Sequence, residues 1–380
     1  MSGMSRRKTL ALIGGGVILA AGAGTWHVAR PAHAARAPWT DAGRYADPRM
    51  RALSWAILAP NPHNRQPWKV DLSQAGAAVL YADTERFLPH TDPFSRQIVI
   101  GLGCFLETLA MAAAADGFRT EVTLFPDGSD PEHLDSRPVA WIRFAEGAEP
   151  DPDFDLIGAR RTNRRPYDLS RPVPSEDMAL LVAAARHGSR GDGTVLDSEV
   201  AELRVLSEEA MQIEIDTPHT YRESVDLFRI GRAEVNANPD GISFTGPLFE
   251  MLHRTGQFSR ALALDRSSSA YASGVDTVME NMRTAMGHVW LCTRGNSRSD
   301  QIAAGRDWMR LHLAATRAGL GVQPLSQALQ EYPEMAELYS RVHDRLAKPG
   351  ETVQMWARVG YAPEVPASPR WPIEAKVLNG

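Results

Sequence analysis

Pro60, Pro62 and Pro67 fall within eight residues, and no regular helix runs through such a segment. The apolar stretch before it, from Ala52 to Leu58, reads as a helix. The chain is therefore expected to leave that helix through a stiff, extended loop. The loop presents His63, Asn64, Gln66 and Trp68: an imidazole, two amides and an indole. Such a loop suits gripping a planar, hydrogen-bonding ligand. It suits equally a helix-to-strand connector whose Trp68 packs into the core.

The first residues read as an address rather than as fold. Ser5-Arg6-Arg7-Lys8-Thr9-Leu10 precedes an uncharged, Gly-rich apolar run to Ala23, and Ala32-His33-Ala34 fits a small-x-small cleavage site. This pattern predicts a twin-arginine signal over 1–34, the twin-arginine translocation machinery as a partner, and a periplasmic product. A membrane anchor is the alternative, although the run is short for stable spanning. Such export moves folded proteins, which favours a non-covalent cofactor loaded before crossing. Removing 1–34 takes four cations and no acid, so the net charge of −5 becomes −9 over the remaining 346 residues. So acidic a protein is a poor ligand for nucleic acid or anionic lipid. Its length fits one large domain or two ordinary ones.

An acidic, Pro-containing stretch at 146–153 reads as a linker between two halves, 35–150 and 151–380. In the first half, Ile98, Leu102, Phe105 and Leu109 keep helical spacing up to Gly117, and strand-like segments follow at 121–125 and 139–144. In the second, Ser299 or Asp300 can cap a helix running to Gly319, and alternation over 353–359 predicts a closing strand. Alternating helices and antiparallel-looking strands give an α+β layer fold. An insertion at about 213–281 carries turn signals at Asn238-Pro239-Asp240-Gly241 and Gly246-Pro247, with Phe244, Phe249 and Phe258. It reads as a lid over a flat ligand or as helix-loop-helix packing away from any site.

Arg160, Arg161, Arg164 and Arg165 lie within six residues, with Thr162 and Asn163 between them. Guanidinium forks grip phosphate oxygens bidentately, so the run is a candidate anion site; a solvated charge run is the plainer reading. Cys104 and Cys292 sit in apolar runs and read as buried free thiols, although an exported protein could pair them. No Cys/His spacing suggests a metal. Serine-hydrolase, zinc-protease, P-loop and dinucleotide fingerprints are absent from the sequence. His253, His288 and His312 read as structural histidines. His63 reads as an acid–base group or as a ligand contact.

The loop at 62–68 resembles the Pro-Ser-x-x-Asn-x-Gln-Pro-Trp loop of the FMN-dependent nitroreductase family, with His63 standing for the first Ser. The run from Arg160 to Tyr167 resembles that family's Arg-Arg-Ser-x-Arg-x-Phe opening. Arg370, in Ser368-Pro369-Arg370-Trp371, resembles its late phosphate-binding arginine. Gly321, in Leu320-Gly321-Val322-Gln323-Pro324, resembles its glycine turn beside the flavin. These motifs are split between the halves, which is similar to the Acg-type FMN-binding oxidoreductases, over nearly all of the mature chain. The resemblance implies a nitroreductase-like α+β fold of two fused half-repeats, an intrachain pseudo-dimer with mixed and antiparallel sheets packed by helices. It implies one FMN held by Pro62, His63, Asn64, Arg160, Arg161, Thr162, Arg164, Gly321 and Arg370, with no catalytic residue assigned. Hydride would pass from NAD(P)H, or another donor, through FMN to a small organic acceptor. The alternatives are an FMN store with a closed lid, and an adaptor without cofactor, against which the arginines argue.

Overall fold

The computed structural model describes residues 34–379, so the expected export signal lies outside the described residues but for Ala34. Helix α1 (Pro48–Ala56) starts where the Asp47 carboxylate accepts the Arg49 N–H and Pro48 pre-sets φ at the first helical position. It buries Ala52, Leu53 and Ala56 and ends before the prolines. Strands β1 (Trp68–Asp71) and β2 (Ala77–Ala82) pair antiparallel. Helix α2 (Arg96–Ala115) carries the expected apolar residues and stops before Gly117, whose φ of 81° favours glycine. Nearly every face of α2 is buried, so it is the core helix of the first half. Among the described residues it is the one helix long and apolar enough to cross a membrane, and 83% of that apolar window lies inside the protein. Strands β3 (Phe118–Leu124) and β4 (Pro138–Glu146) follow as expected.

No helix or strand forms over 147–153. Beyond it come α3 (Ser175–Ala183), β5 (Arg190–Thr194) and α4 (Asp197–Asp216). The added elements are α5 (Pro218–Asp226), β6 (Phe228–Ile230), α6 (Gly231–Ala237), β7 (Ile242–Phe244), α7 (Pro247–Arg254), α8 (Arg260–Leu264) and α9 (Ser269–Arg283). The expected limits at 213 and 281 thus fall inside α4 and α9. Phe228, Phe244, Phe249 and Phe258 pack on one another, with ring centroids 4.7–6.4 Å apart. The chain then forms β8 (Gly287–Thr293), α10 (Arg298–Arg317), β9 (Gly321–Pro324), α11 (Ala336–Leu346), β10 (Thr352–Gly360) and β11 (Val377–Asn379). The α10 cap is Ser297, not Ser299 or Asp300: Ser297 and Asp300 close a reciprocal capping box.

Two sheets organise the chain, β11-β1-β2-β4-β3 and β5-β8-β10-β9. The second is antiparallel throughout, while in the first only β11 runs parallel to its neighbour, β1. The last strand therefore belongs to the sheet of the first half, so sheet membership does not follow the division at 150.

Helices α2 and α10 cross between the sheets at two glycines. Each glycine, Gly103 or Gly305, is the eighth residue of a 20-residue helix. A methyl on Gly103 would collide with the Ile302 carbonyl oxygen and lie 2.9 Å from the Gly305 Cα. A methyl on Gly305 would collide with the Ile100 carbonyl oxygen and lie 2.8 Å from the Gly103 Cα. Contacts exchanged in this way are what a two-fold axis generates. Cys104 sits at the crossing with its Sγ 3.1 Å from the Gly305 carbonyl. Both cysteines are buried and free.

Candidate functional site

The end of α1 leaves the carbonyls of Ile57, Leu58 and Ala59 without helical partners. Arg370 takes all three: Nε donates to Ile57 at 2.7 Å, and Nη2 donates to Leu58 and Ala59 at 3.1 Å each. Its Nη1 donates to the Asn64 Oδ1 and the Pro369 carbonyl. Arg160 Nη2 shares the Leu58 carbonyl at 3.1 Å, and its Nη1 lies 3.3 Å from His312 Nδ1. His312 Nε2 lies 2.9 Å from the Arg161 carbonyl, so this histidine on α10 fixes the arginine run. Arg161 donates to the carbonyls of Gly158 and Arg160 and lays its guanidinium over the Trp39 ring at 4.5 Å. Arg370 approaches the same ring at 5.4 Å.

The loop itself is not extended. Pro62–Asn64 forms a single 3-10 turn, and His63, Asn64 and Gln66 take φ of 47°, 53° and 52°. Three non-glycine residues in the left-handed region are held only where surroundings over-determine them. Asn61 Oδ1 accepts the Gln66 N–H at 2.7 Å, and Gln66 donates to the Pro239 carbonyl and accepts the Trp371 N–H, each at 2.8 Å. Counted back from Trp68, the family pattern places its Pro-Ser on Pro60-Asn61. Asn61, which closes the turn, therefore stands for the first Ser, and His63 does not. Trp68 is fully buried against Phe105. The loop connects helix to strand with Trp68 in the core, as one reading expects, and it presents Asn64 beside Arg370.

The electrostatics of the cluster are unusual. Burial lowers the pKa of Arg370 well below the ordinary arginine value, and the charges of Arg160 and Arg161 push it the same way. None of Arg160, Arg161, Arg164 and Arg370 forms an ion pair among the described residues, and the buried Arg160 Nε has no hydrogen-bond partner. Three clustered guanidiniums without an ion pair, with only the charge of Glu364 reaching Arg161, fit an anion such as a phosphate. Burial likewise lowers the pKa of Arg164, which Glu214 opposes. Arg164 makes no hydrogen bond to the described residues and keeps an accessible side chain.

The remaining expected residues are placed as follows. Pro62 packs over Gly101 of α2. Thr162 bridges to Val322, and Asn163 N donates to the Val322 carbonyl at 2.9 Å, so the arginine run is tied to β9. A side chain at Gly321 would sit 3.1 Å from the Tyr167 ring, which requires a small residue there whatever binds nearby. The insertion reaches the loop: Gly241 N donates to the Asn64 carbonyl at 3.3 Å. Asp240 pairs with Arg65, Arg86 and Arg229 at 3.3, 2.7 and 2.9 Å. His63 Nε2 lies 3.1 Å from Ser224 Oγ on α5. Trp39, Ser224 and Glu214 carry no motif of their own, and sequence reasoning had no signal for them.

No protein-family model matches the chain. A Mycobacterium tuberculosis protein with the provisional name NAD(P)H nitroreductase Acg is 27% identical over 343 residues, covering 85% of this chain and 93% of its own. The chain is similar to that protein over most of its length. A second M. tuberculosis protein, provisionally named NAD(P)H nitroreductase Rv3131, is 28% identical over 340 residues, covering 84% of this chain and 87% of its own. The FMN-dependent nitroreductase NfnB of Mycobacterium smegmatis, solved with NADPH, superposes with a TM-score of 0.34 at 21% identity, over 55% of this chain and 86% of that one. So loose a superposition decides nothing about the site.

Proposed function

We propose that the chain is an FMN-dependent oxidoreductase of the nitroreductase type, with one FMN held where the loop after α1 meets the Arg160 run. The observation that carries this reading is the cluster of Arg160, Arg161 and Arg370 against Asn64, none of the three in an ion pair among the described residues. When bound, the chemistry FMN supplies is passage of hydride from a reduced nicotinamide to an organic acceptor. Arg160 and Arg161 would hold the phosphate end, with Thr162 adding a hydroxyl. Arg164 and His63 would line the ring end. Arg370 acts beneath them, because its donors already fix the α1 carbonyls and Asn64.

The reciprocal glycine contact supports an intrachain pseudo-dimer with a single surviving site. His312 lies seven residues beyond Gly305, and Ala110 lies seven beyond Gly103. The turn after α3 is closed internally: Asp307 accepts the N–H groups of Arg186, His187 and Ser189 at 2.6, 2.7 and 2.9 Å. The cleft beside Ala110 is lined by Glu107, Arg186, His187, Arg306 and Arg310, which pair with acids or a histidine rather than standing free. The reading therefore expects an absorbance spectrum corresponding to one FMN per chain; a ratio near two would sink it. Arg161→Ala is expected to weaken FMN binding by roughly tenfold to a hundredfold, about the loss of one charge-assisted hydrogen bond, with thermal stability kept. Unchanged affinity would place the phosphate elsewhere.

The docked insertion favours a second reading, storage of FMN under a closed cover. Anaerobic mixing separates the two. A turning-over enzyme is bleached by NADPH, whereas a store resists NADPH and is bleached by dithionite. We also take 1–34 as a twin-arginine signal, so FMN would be loaded before export; retention in the cytoplasm of a chain with both arginines changed to lysine, Arg6 and Arg7, tests it.

A further inference from the structure

One polar chain near Arg164 is not explained by cofactor binding. Glu214, on α4, is buried. Its Oε1 lies 3.2 Å from Ser224 Oγ, and its Oε2 accepts Gln330 Nε2 at 2.9 Å. Ser224, on α5, is buried and reaches His63 Nε2 at 3.1 Å. His63 is half-buried, and its Nδ1 has no protein partner among the described residues. The chain of groups thus runs from a buried carboxyl, through a hydroxyl, to a ring nitrogen without a protein partner among the described residues. Its members come from three separate elements, α4, α5 and the turn after α1. The left-handed φ of 47° at His63 is part of what aims the ring at Ser224.

We propose that Glu214, Ser224 and His63 form a proton relay opening beside Arg164, which supplies the proton that an organic acceptor takes up together with the hydride. The inference rests on the FMN oxidoreductase reading. At rest, Glu214 Oε1–H donates to Ser224 Oγ, Ser224 Oγ–H donates to His63 Nε2, and Nδ1–H is left for the acceptor. A carbonyl or quinone acceptor gains hydride at one atom and must gain one proton at oxygen. That oxygen takes the Nδ1 proton, Nε2 takes the Ser224 proton, and Ser224 takes the Glu214 proton. One proton has then left Glu214 and one has arrived on the acceptor. Glu214 is a carboxylate and His63 has exchanged tautomers. Uptake of a solvent proton and ring reversal restore the start.

The surroundings suit these states. Burial pushes the Glu214 carboxyl up, with the nearby Glu223 adding to the shift; hydrogen bonds from Gln330, Ser224 and Gln327 oppose it by stabilising the carboxylate, the form left after the Glu214 proton has passed on. Arg164 and the Tyr332 hydroxyl lie within electrostatic reach of it. His63 is pushed down to about 3 by burial, then by Arg164 and Arg65, so it stays neutral and can pass a proton only by exchanging tautomers.

The test uses the full chain. Nitrogen-15 histidine NMR on the flavin-free protein reads the His63 ring directly. Its two nitrogen shifts should move as Glu214 ionises, and that movement should vanish in Ser224→Ala and Glu214→Gln but persist in Ser224→Thr. Shifts indifferent to both variants reject the relay. In FMN-loaded, dithionite-reduced protein, reoxidation by 1,4-benzoquinone is followed at the flavin absorbance. Glu214→Gln should slow it about a hundredfold and remove its fall with rising pH, with reduction by NADPH unchanged. An unchanged rate and pH profile reject the proton-supply role while leaving the flavin reading intact. A chain that binds no FMN rejects the oxidoreductase reading and the acceptor step with it, whatever the NMR shows.

Discussion

Gly305→Ala is expected to be strongly destabilising, although the change adds one methyl group. The new Cβ would meet the Ile100 carbonyl oxygen and the Gly103 Cα, which are backbone atoms of a buried helix. No rotamer can relieve that contact, so α2 and α10 must move apart along a core of Ile98, Leu102, Trp308 and Met309. Overpacking typically costs about 1–3 kcal/mol, and backbone-to-backbone contact places this change at the upper end or beyond. That is a large share of an ordinary stability. Gly274→Ala is the control. It lies inside α9 with nothing near its missing Cβ, and helix propensity there favours alanine. Urea unfolding should show a much lower midpoint for Gly305→Ala and an equal or higher one for Gly274→Ala. Equal stability of Gly305→Ala and the parent would mean that the helices do not cross at these residues.

Glu107→Gln should have an effect of similar size for an electrostatic reason. Glu107 is buried on α2, and its carboxylate accepts Arg306 Nε at 2.7 Å and Arg310 Nε, with His187 Nε2 at 3.0 Å. Burial alone would raise this carboxyl. The His187 hydrogen bond and the charges of Arg306 and Arg310 outweigh it and hold the group down at about 2. Removing the charge leaves Arg310, itself buried, with Asp151 at 2.7 Å and Asp153 more distant at 4.0 Å. Breaking one side of such a network costs about 3–5 kcal/mol. The pH dependence has a definite sign. The folded pKa lies below the unfolded value of 4.5, so the stabilisation is complete above about pH 4.5 and is lost as pH falls towards 2. Thermal unfolding at neutral pH should separate parent from variant widely, and the gap should narrow across that acidic window. A gap independent of pH would show that Glu107 is not ionised in the folded protein.

Much of this was legible in the sequence, because helix stops, alternation and proline are local signals. Gly117 ended a helix, alternation over 353–359 became β10, and the prolines after Leu58 ended α1. The arginine run stood out because an acidic protein rarely concentrates guanidiniums without purpose. What stayed hidden depends on contacts distant in sequence. Arg370 looked like a ligand for a phosphate, but its donors serve the carbonyls that α1 leaves behind, a need visible only once both ends are in place. The loop looked extended because proline argues for extension. Asn61, Gln66 and the insertion pull it into left-handed conformations instead. Ser224 and Glu214 belong to no motif, and only the docking of α5 against the turn brings them to His63.

The parallel pairing of β11 with β1 has a consequence for synthesis. Asn64 and Arg370 are 306 residues apart in sequence, and Val70 waits for Val377. A nascent chain holds β1 as an open edge until residues 377–379 have been made. Closure of so long a loop must therefore come late. In the interval the edge is available to any other extended segment, its own or a neighbour's. The segment from Arg370 to Asn379 thus acts as a lock on the order of folding. A change in that late segment disturbs the half of the protein that was made first.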